Sequence, residues 1–175
     1  MNGDERRLAL EFTDPSGEAL RLEWETDALR RLDPADPHQA PVWRLGGELD
    51  WDEVETVRVL SGRLDDGRLI SIAGLRPRDG TGHDHEVVAG ALATPEELER
   101  FDQALVSTEY GADALPRRIG LELYRDQGAL PLRIAGDATA TAVSEEAGVR
   151  RVSTALALRT SGSAGLGVLD VLSRG

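Results

Sequence analysis

Five turn signals punctuate this chain, and each separates two short runs in which apolar and polar residues alternate. They are Asp14-Pro15-Ser16-Gly17, Asp65-Asp66-Gly67, Arg78-Asp79-Gly80, Asp126-Gln127-Gly128 and Glu146-Ala147-Gly148. A glycine after a short polar residue supplies the positive φ angles of tight hairpins, and alternation at period two is that of a strand with one face buried. The chain is therefore expected to be all-β and mostly antiparallel. About nine to eleven strands are counted, and so many strands in one sheet system imply a closed barrel or a sandwich, because long open sheets leave exposed edges.

Length and composition set limits on what such a sheet can do. A chain of 175 residues suffices for one domain with its own core, so a single domain is expected, with an N-terminal hairpin and Pro-rich loop over 1–41 and the main barrel over 42–175. Three tryptophans, two tyrosines and two phenylalanines are the only aromatics, so Leu, Val, Ile and Ala must build the core. The 32 acidic residues outnumber 20 basic ones, and a net charge of −12 repels phosphate backbones and anionic membrane surfaces. Nucleic acid is excluded as an expected partner. With no cysteine there is no disulfide or thiolate chemistry. No apolar leader and no run of 18 apolar residues is found, so no membrane span and a cytoplasmic location are expected.

The first hairpin pairs Arg7 to Phe12 with Ala19 to Glu25; Leu20, Leu22 and Trp24 share one face, and Arg21, Glu23 and Glu25 the other. Three prolines between Asp33 and Pro41 forbid helix interior and central strand. A long hairpin runs from Glu53 to Leu64, turns at Asp65-Asp66-Gly67, and returns from Arg68 to Leu75. Glu86 to Ala93 is small or apolar on both faces, which predicts a strand buried on both. Thr94-Pro95-Glu96-Glu97 has the form of a helix-capping box, with Leu98, Phe101 and Leu105 at helical spacing, so the one short helix is expected near Pro95 to Ala104. Further strands are predicted at Arg118 to Tyr124, Leu130 to Ala135, Ala138 to Val143, Val149 to Leu158 and Leu166 to Leu172.

Chemistry is harder to read. In His83-Asp84-His85-Glu86 the two imidazoles point the same way on an extended segment and suit metal ligation, or one of them a general base beside a carboxylate. A closed metal site needs more ligands than this cluster offers, so a solvated loop is the favoured reading, and His83, His85 and Glu86 are weak catalytic candidates with no metal and no cofactor expected. The acidic run Glu48 to Glu55 lacks the order of a calcium loop, and Gly162-Ser163-Ala164-Gly165-Leu166-Gly167 lacks the Gly-Lys-Ser/Thr ending of a phosphate loop. No Gly-x-Ser-x-Gly elbow surrounds any serine. On Arg118 to Tyr124, Ile119, Leu121 and Leu123 form one face and Arg118, Gly120, Glu122 and Tyr124 the other, which is wet or lines a pocket according to which way the barrel turns it.

A family resemblance adds direction. Leu64-Asp65-Asp66-Gly67-Arg68-Leu69-Ile70-Ser71, Leu75-Arg76-Pro77, Tyr110, Pro116 to Leu123 and the closing glycine cluster before a terminal strand resemble the C-terminal part of lipocalin-like proteins that include AttH and the carotenoid 1,2-hydratases. The resemblance spans Trp51 to Leu172 and places Asp170 where relatives often carry an acid. It implies a calycin-type antiparallel barrel with an apolar interior, one barrel where relatives tend to have two, and without their N-terminal Trp- and His-bearing motifs. On that footing the expected function is binding of a lipophilic small molecule of isoprenoid, steroid or acyl type. Arg118, Glu122 and Tyr124 are expected to point inward as its anchors, with Trp51 and Tyr110 near the mouth. Whether the protein is an enzyme stays open. The alternatives are an isoprenoid-type hydratase, isomerase or cyclase using acid and base side chains in the same cavity, and a packed barrel acting as an interaction module or homodimer.

Overall fold

The structure, a computed structural model, describes residues 7–13, 17, 19–33, 36, 41–78, 86–101, 103–125 and 130–174. Strands β1 (Arg7–Thr13), β2 (Ala19–Glu25) and β3 (Trp43–Gly46) form a three-stranded antiparallel sheet, and α1 (Thr26–Arg30) follows β2 directly. The other nine strands are β4 (Val54–Leu64), β5 (Leu69–Pro77), β6 (Val87–Ala93), β7 (Leu98–Phe101), β8 (Gln103–Tyr110), β9 (Pro116–Tyr124), β10 (Leu132–Glu146), β11 (Val149–Thr160) and β12 (Ser163–Arg174). They make one antiparallel sheet in the order β7-β6-β5-β4-β12-β11-β10-β9-β8. Its edge strands β7 and β8 are consecutive in sequence, and β8 packs beside β6, so the sheet curls into a nearly closed barrel.

Strand parity sorts the side chains into two cores. Inside the barrel lie Leu60, Leu64, Ile70, Ile72, Leu92, Phe101, Val106, Ile119, Leu121, Leu123, Ile134, Leu156, Leu158 and Leu169. On the outside, Val57, Val59, Ala73, Leu75, Ala91 and Ala93 meet Leu8, Leu10, Leu20, Leu22 and Trp24 of the small sheet, together with Leu29 of α1. This explains why β4, β5 and β6 are apolar on both faces: one face looks into the barrel and the other lies beneath the second sheet. Two polar links, one buried and one partly buried, fix that layer. Trp24 Nε1 donates to Ser61 Oγ at 2.9 Å, and Trp43 Nε1 donates to Asp170 Oδ2 at 2.7 Å. Asp170 also accepts from Ser153 Oγ and lies 3.3 Å from Arg151 Nε, so this acid joins β3, β11 and β12 and stands on the outer face of the barrel.

The helix expected near Pro95 to Ala104 does not form. Thr94 Oγ1 does accept the Glu97 N–H at 2.9 Å, as in a capping box, but the Thr94 N–H donates back to Glu97 O at 2.8 Å and closes a hairpin instead. The local bond is common to both structures; pairing of β7 with β6, from Ala93 opposite Leu98 to Gly90 opposite Phe101, decides between them and buries Phe101. The helix that does exist, α1, has only five residues and ends the first hairpin. Leu130 to Ala135 and Ala138 to Val143 are expected as two strands, but one strand, β10, runs from Leu132 through both, and its register shifts between Ala138 and Ala140. That bulge lets Ala138 and Thr141 both face inward, since one extra residue reverses parity.

Candidate functional site

The two ends of the barrel interior are built differently. At one end Leu158 occupies a hole left by glycines: a Cβ at Gly62, Gly136 or Gly167 would stand 3.0 Å from its methyl groups. Gly165 is tighter still, because a Cβ there would lie 2.1 Å from the Arg63 carbonyl oxygen. Two of these glycines, Gly165 and Gly167, come from the sequence cluster Gly162 to Gly167 that lacked the ending of a phosphate loop. The turn itself is Ser161-Gly162, and the other two lie inside β12 where it closes on β4.

At the other end the interior turns polar. Thr56, Arg58, Arg76, Glu86, Thr108, Tyr110 and Val171 line a pocket of about 140 Å³. Arg58 grips Glu86 with two parallel bonds, Nε to Oε1 at 2.9 Å and Nη2 to Oε2. It also donates from Nη1 to Thr108 Oγ1 at 2.9 Å and from Nη2 to the Val106 carbonyl at 3.1 Å. Both charged side chains are nearly enclosed, 12% and 6% exposed. Space for the carboxylate comes from Gly74, paired across the sheet with Arg58, since a Cβ at Gly74 would fall 2.5 Å from Glu86 Oε1. Arg76 stands beside this pair with its Nε 3.1 Å from Glu55 Oε2, an ion pair, and among the described residues that buried N–H has no hydrogen-bond partner. Tyr110 is half exposed at the rim.

Of the residues singled out from the sequence, Glu86 and Tyr110 come together in this mouth. His83 and His85 lie outside the described residues. Trp51 packs half-buried against the layer between the small sheet and the barrel, and its carbonyl accepts Arg78 Nε at 2.7 Å. The inward orientation expected of Arg118, Glu122 and Tyr124 is corrected: Ile119, Leu121 and Leu123 take the interior, and period-two parity turns the other three outward. There Arg118 Nε donates to Asp137 Oδ1 at 3.1 Å, while Glu122 accepts from Tyr124 Oη at 2.5 Å and from Arg133 Nε at 3.2 Å. The bond from Arg159 is the largest effect on the Asp137 carboxyl; burial opposes it, and with the smaller contribution of Arg118 the carboxyl is held below the usual carboxylate range. The hydrogen bond to Glu122 raises the Tyr124 phenol above its ordinary value.

Arg58, Arg76, Thr56 and Thr108 were missed from sequence. One signal was present. Arg58 interrupts Val57-Arg58-Val59-Leu60, a run apolar at both parities, and a lone arginine in a strand buried on both faces must be paired inside. Among the described residues no group of three or more His, Asp or Glu side chains is placed to hold a metal ion, and no helix is long and apolar enough to cross a membrane.

Neither a family model nor a curated protein matches this chain. Among solved structures the fold is similar to that of kievitone hydratase from Nectria haematococca, with a TM-score of 0.52 and 12% identity. The likeness covers 98% of this chain and 57% of that one, so this chain spans little more than half the length of the hydratase. At this identity the likeness is one of fold, and the chain forms a lipocalin-like antiparallel barrel.

Proposed function

We propose that the protein binds a small oxygenated lipophilic molecule, of isoprenoid, steroid or acyl type, whose polar end enters the barrel mouth. The observation that carries this reading is the Arg58–Glu86 pair, set at the end of an interior whose core is Leu, Ile, Val and Phe. A buried ion pair regains its desolvation cost poorly and is a weak way to stabilise a fold, whereas a few fixed polar groups against apolar walls are what orient a ligand. The packed interior limits how far the ligand reaches. At about 140 Å³ the pocket admits a polar head and its first carbons, while sites that enclose a drug-sized molecule run to about 300–1,000 Å³. Because Arg58 engages both carboxylate oxygens of Glu86, the groups that meet a ligand hydroxyl or carbonyl are Thr108, Tyr110 and Arg76.

Similarity of fold to a solved hydratase, and the resemblance of 51–172 to AttH and the carotenoid 1,2-hydratases, support a second reading in which Glu86 or Tyr110 moves a proton at a bound alkene. Titration with retinol, a fluorescent isoprenoid alcohol, tests the first. Binding should saturate and weaken by about 0.5–1.5 kcal/mol on Thr108→Val or Tyr110→Phe, the worth of one hydrogen bond, with the melting temperature unchanged in Tyr110→Phe and lowered in Thr108→Val, which takes away the acceptor of Arg58 Nη1. Affinity indifferent to both substitutions would move the assignment to a packed barrel that acts through its surface. Gain of one water by an isoprenoid alkene incubated with the protein, and its loss in Tyr110→Phe, would favour the hydratase.

A further inference from the structure

The outer face of β8, β9 and the first part of β10 lies away from the layer where the small sheet packs, and a groove of about 570 Å³ opens on it. Register explains its shape. Ser107, Gly120 and Ala135 are directly paired across the three strands and make a low row. Leu105, Glu122 and Arg133 form the next row on one side, Glu109, Arg118 and Asp137 the next on the other, and Arg159 of β11, opposite Ala135, closes one end. Gly120 keeps the floor low, because a Cβ there would stand 2.8 Å from Ser107 Oγ. Leu105, about half exposed, gives the groove an apolar wall, and Ala135 an apolar part of its floor.

Charge in the groove departs from that of the chain. Two arginines and one glutamate line it, in a protein whose net charge is −12. That glutamate has both oxygens engaged, Oε1 by Arg133 and Oε2 by Tyr124. Asp137, beside the groove, is likewise held by Arg118 and Arg159. Among the described residues Arg133 donates only Nε and Arg159 only Nη1, so both keep guanidinium N–H groups for another acceptor. They are diagonal cross-strand neighbours, about 7–8 Å apart at the backbone, a distance that two arginine side chains can span to reach one anion with the N–H groups that Glu122 and Asp137 leave free.

We infer that this groove is a second binding site, for an amphipathic organic anion whose carboxylate or sulfonate sits between Arg133 and Arg159 and whose apolar body lies over Ala135, Gly120 and Leu105. It is separate from the barrel mouth and does not depend on it. The test uses 8-anilinonaphthalene-1-sulfonate, followed by its fluorescence on binding to the full chain. Saturable binding is expected, displaced by decanoate and not by decanol, weakened at least about tenfold in the double variant Arg133→Gln/Arg159→Gln, and abolished by Ala135→Trp, which fills the floor from outside the barrel. Equal melting temperatures of the variants and the parent would show that the fold is kept. Affinity that ignores the two arginines and the added indole overturns the inference. So does a titration that follows Thr108→Val and Tyr110→Phe in their place, an outcome that leaves the mouth reading standing while removing this one.

Discussion

The two ends of one barrel interior show how the same strands serve opposite demands. Around Leu158 the chain uses glycine to let an aliphatic side chain fill the space between four strands. Around Arg58 it uses glycine for the reverse purpose: Gly74 makes room for a carboxylate, and the barrel accepts an ion pair. The packed end draws its stability from dispersion and apolar burial at interior density. The polar end holds two charges out of water, at a cost that its own bonds only partly offset. The difference teaches that glycines in these strands mark where a neighbour needs the room, and that the neighbour's identity, aliphatic or charged, decides what that end can do.

Three measurements sharpen or break this contrast. The largest effect is expected at the polar end. Glu86→Ala strands Arg58 in a nearly enclosed site and should lower unfolding free energy by about 3–5 kcal/mol in denaturant titration, whereas Arg58→Met/Glu86→Met, which removes both charges, should recover most of it. A single variant that costs less than the double one would mean the pair is not closed off from water. At the packed end Leu158→Ala should cost about 3 kcal/mol, because the three facing glycines cannot collapse into the hole. A loss close to the bare transfer term of roughly 1–2 kcal/mol would show that this end relaxes more freely than its packing implies.

The smallest effect lies outside the barrel and is read by pH. Tyr124 donates to Glu122, and its raised phenol pKa means that the folded state holds this proton more tightly than the unfolded chain does. Its contribution is therefore present below the ordinary phenol value of about 10 and is lost as pH rises through the folded value above it. With Tyr110→Phe leaving one tyrosine, ultraviolet absorbance should place the Tyr124 midpoint above that value, and Glu122→Gln should bring it back down. For Asp137, held low by Arg159 and Arg118, the sign is opposite: its contribution is present above the ordinary carboxylate range and lost as pH falls through the lowered value.

Much of the fold was legible in the chain, because hairpin geometry is a local property. Positive φ at Gly17, Gly67 and Gly148 coincides with three of the turn signals, and the pairing of Val57 to Arg63 with Leu69 to Leu75 follows from the Asp65-Asp66-Gly67 turn alone. Alternation told which residues of β9 share a face, since parity needs nothing beyond the pleat. Other features came from partners far away in sequence. Which face of β9 is the inside depends on how the barrel closes, so Ile119, Leu121 and Leu123 went in and Arg118, Glu122 and Tyr124 came out. Thr94 to Phe101 was a hairpin or a helix by its local bonds, and pairing with β6 settled it. The mouth pocket joins Arg58 to Glu86 and Thr108, 28 and 50 residues away. A ligand site depends on which distant side chains meet, and closure of the barrel brings them together; the spacing of residues along one strand holds no trace of that meeting beyond a single arginine where an aliphatic residue was due.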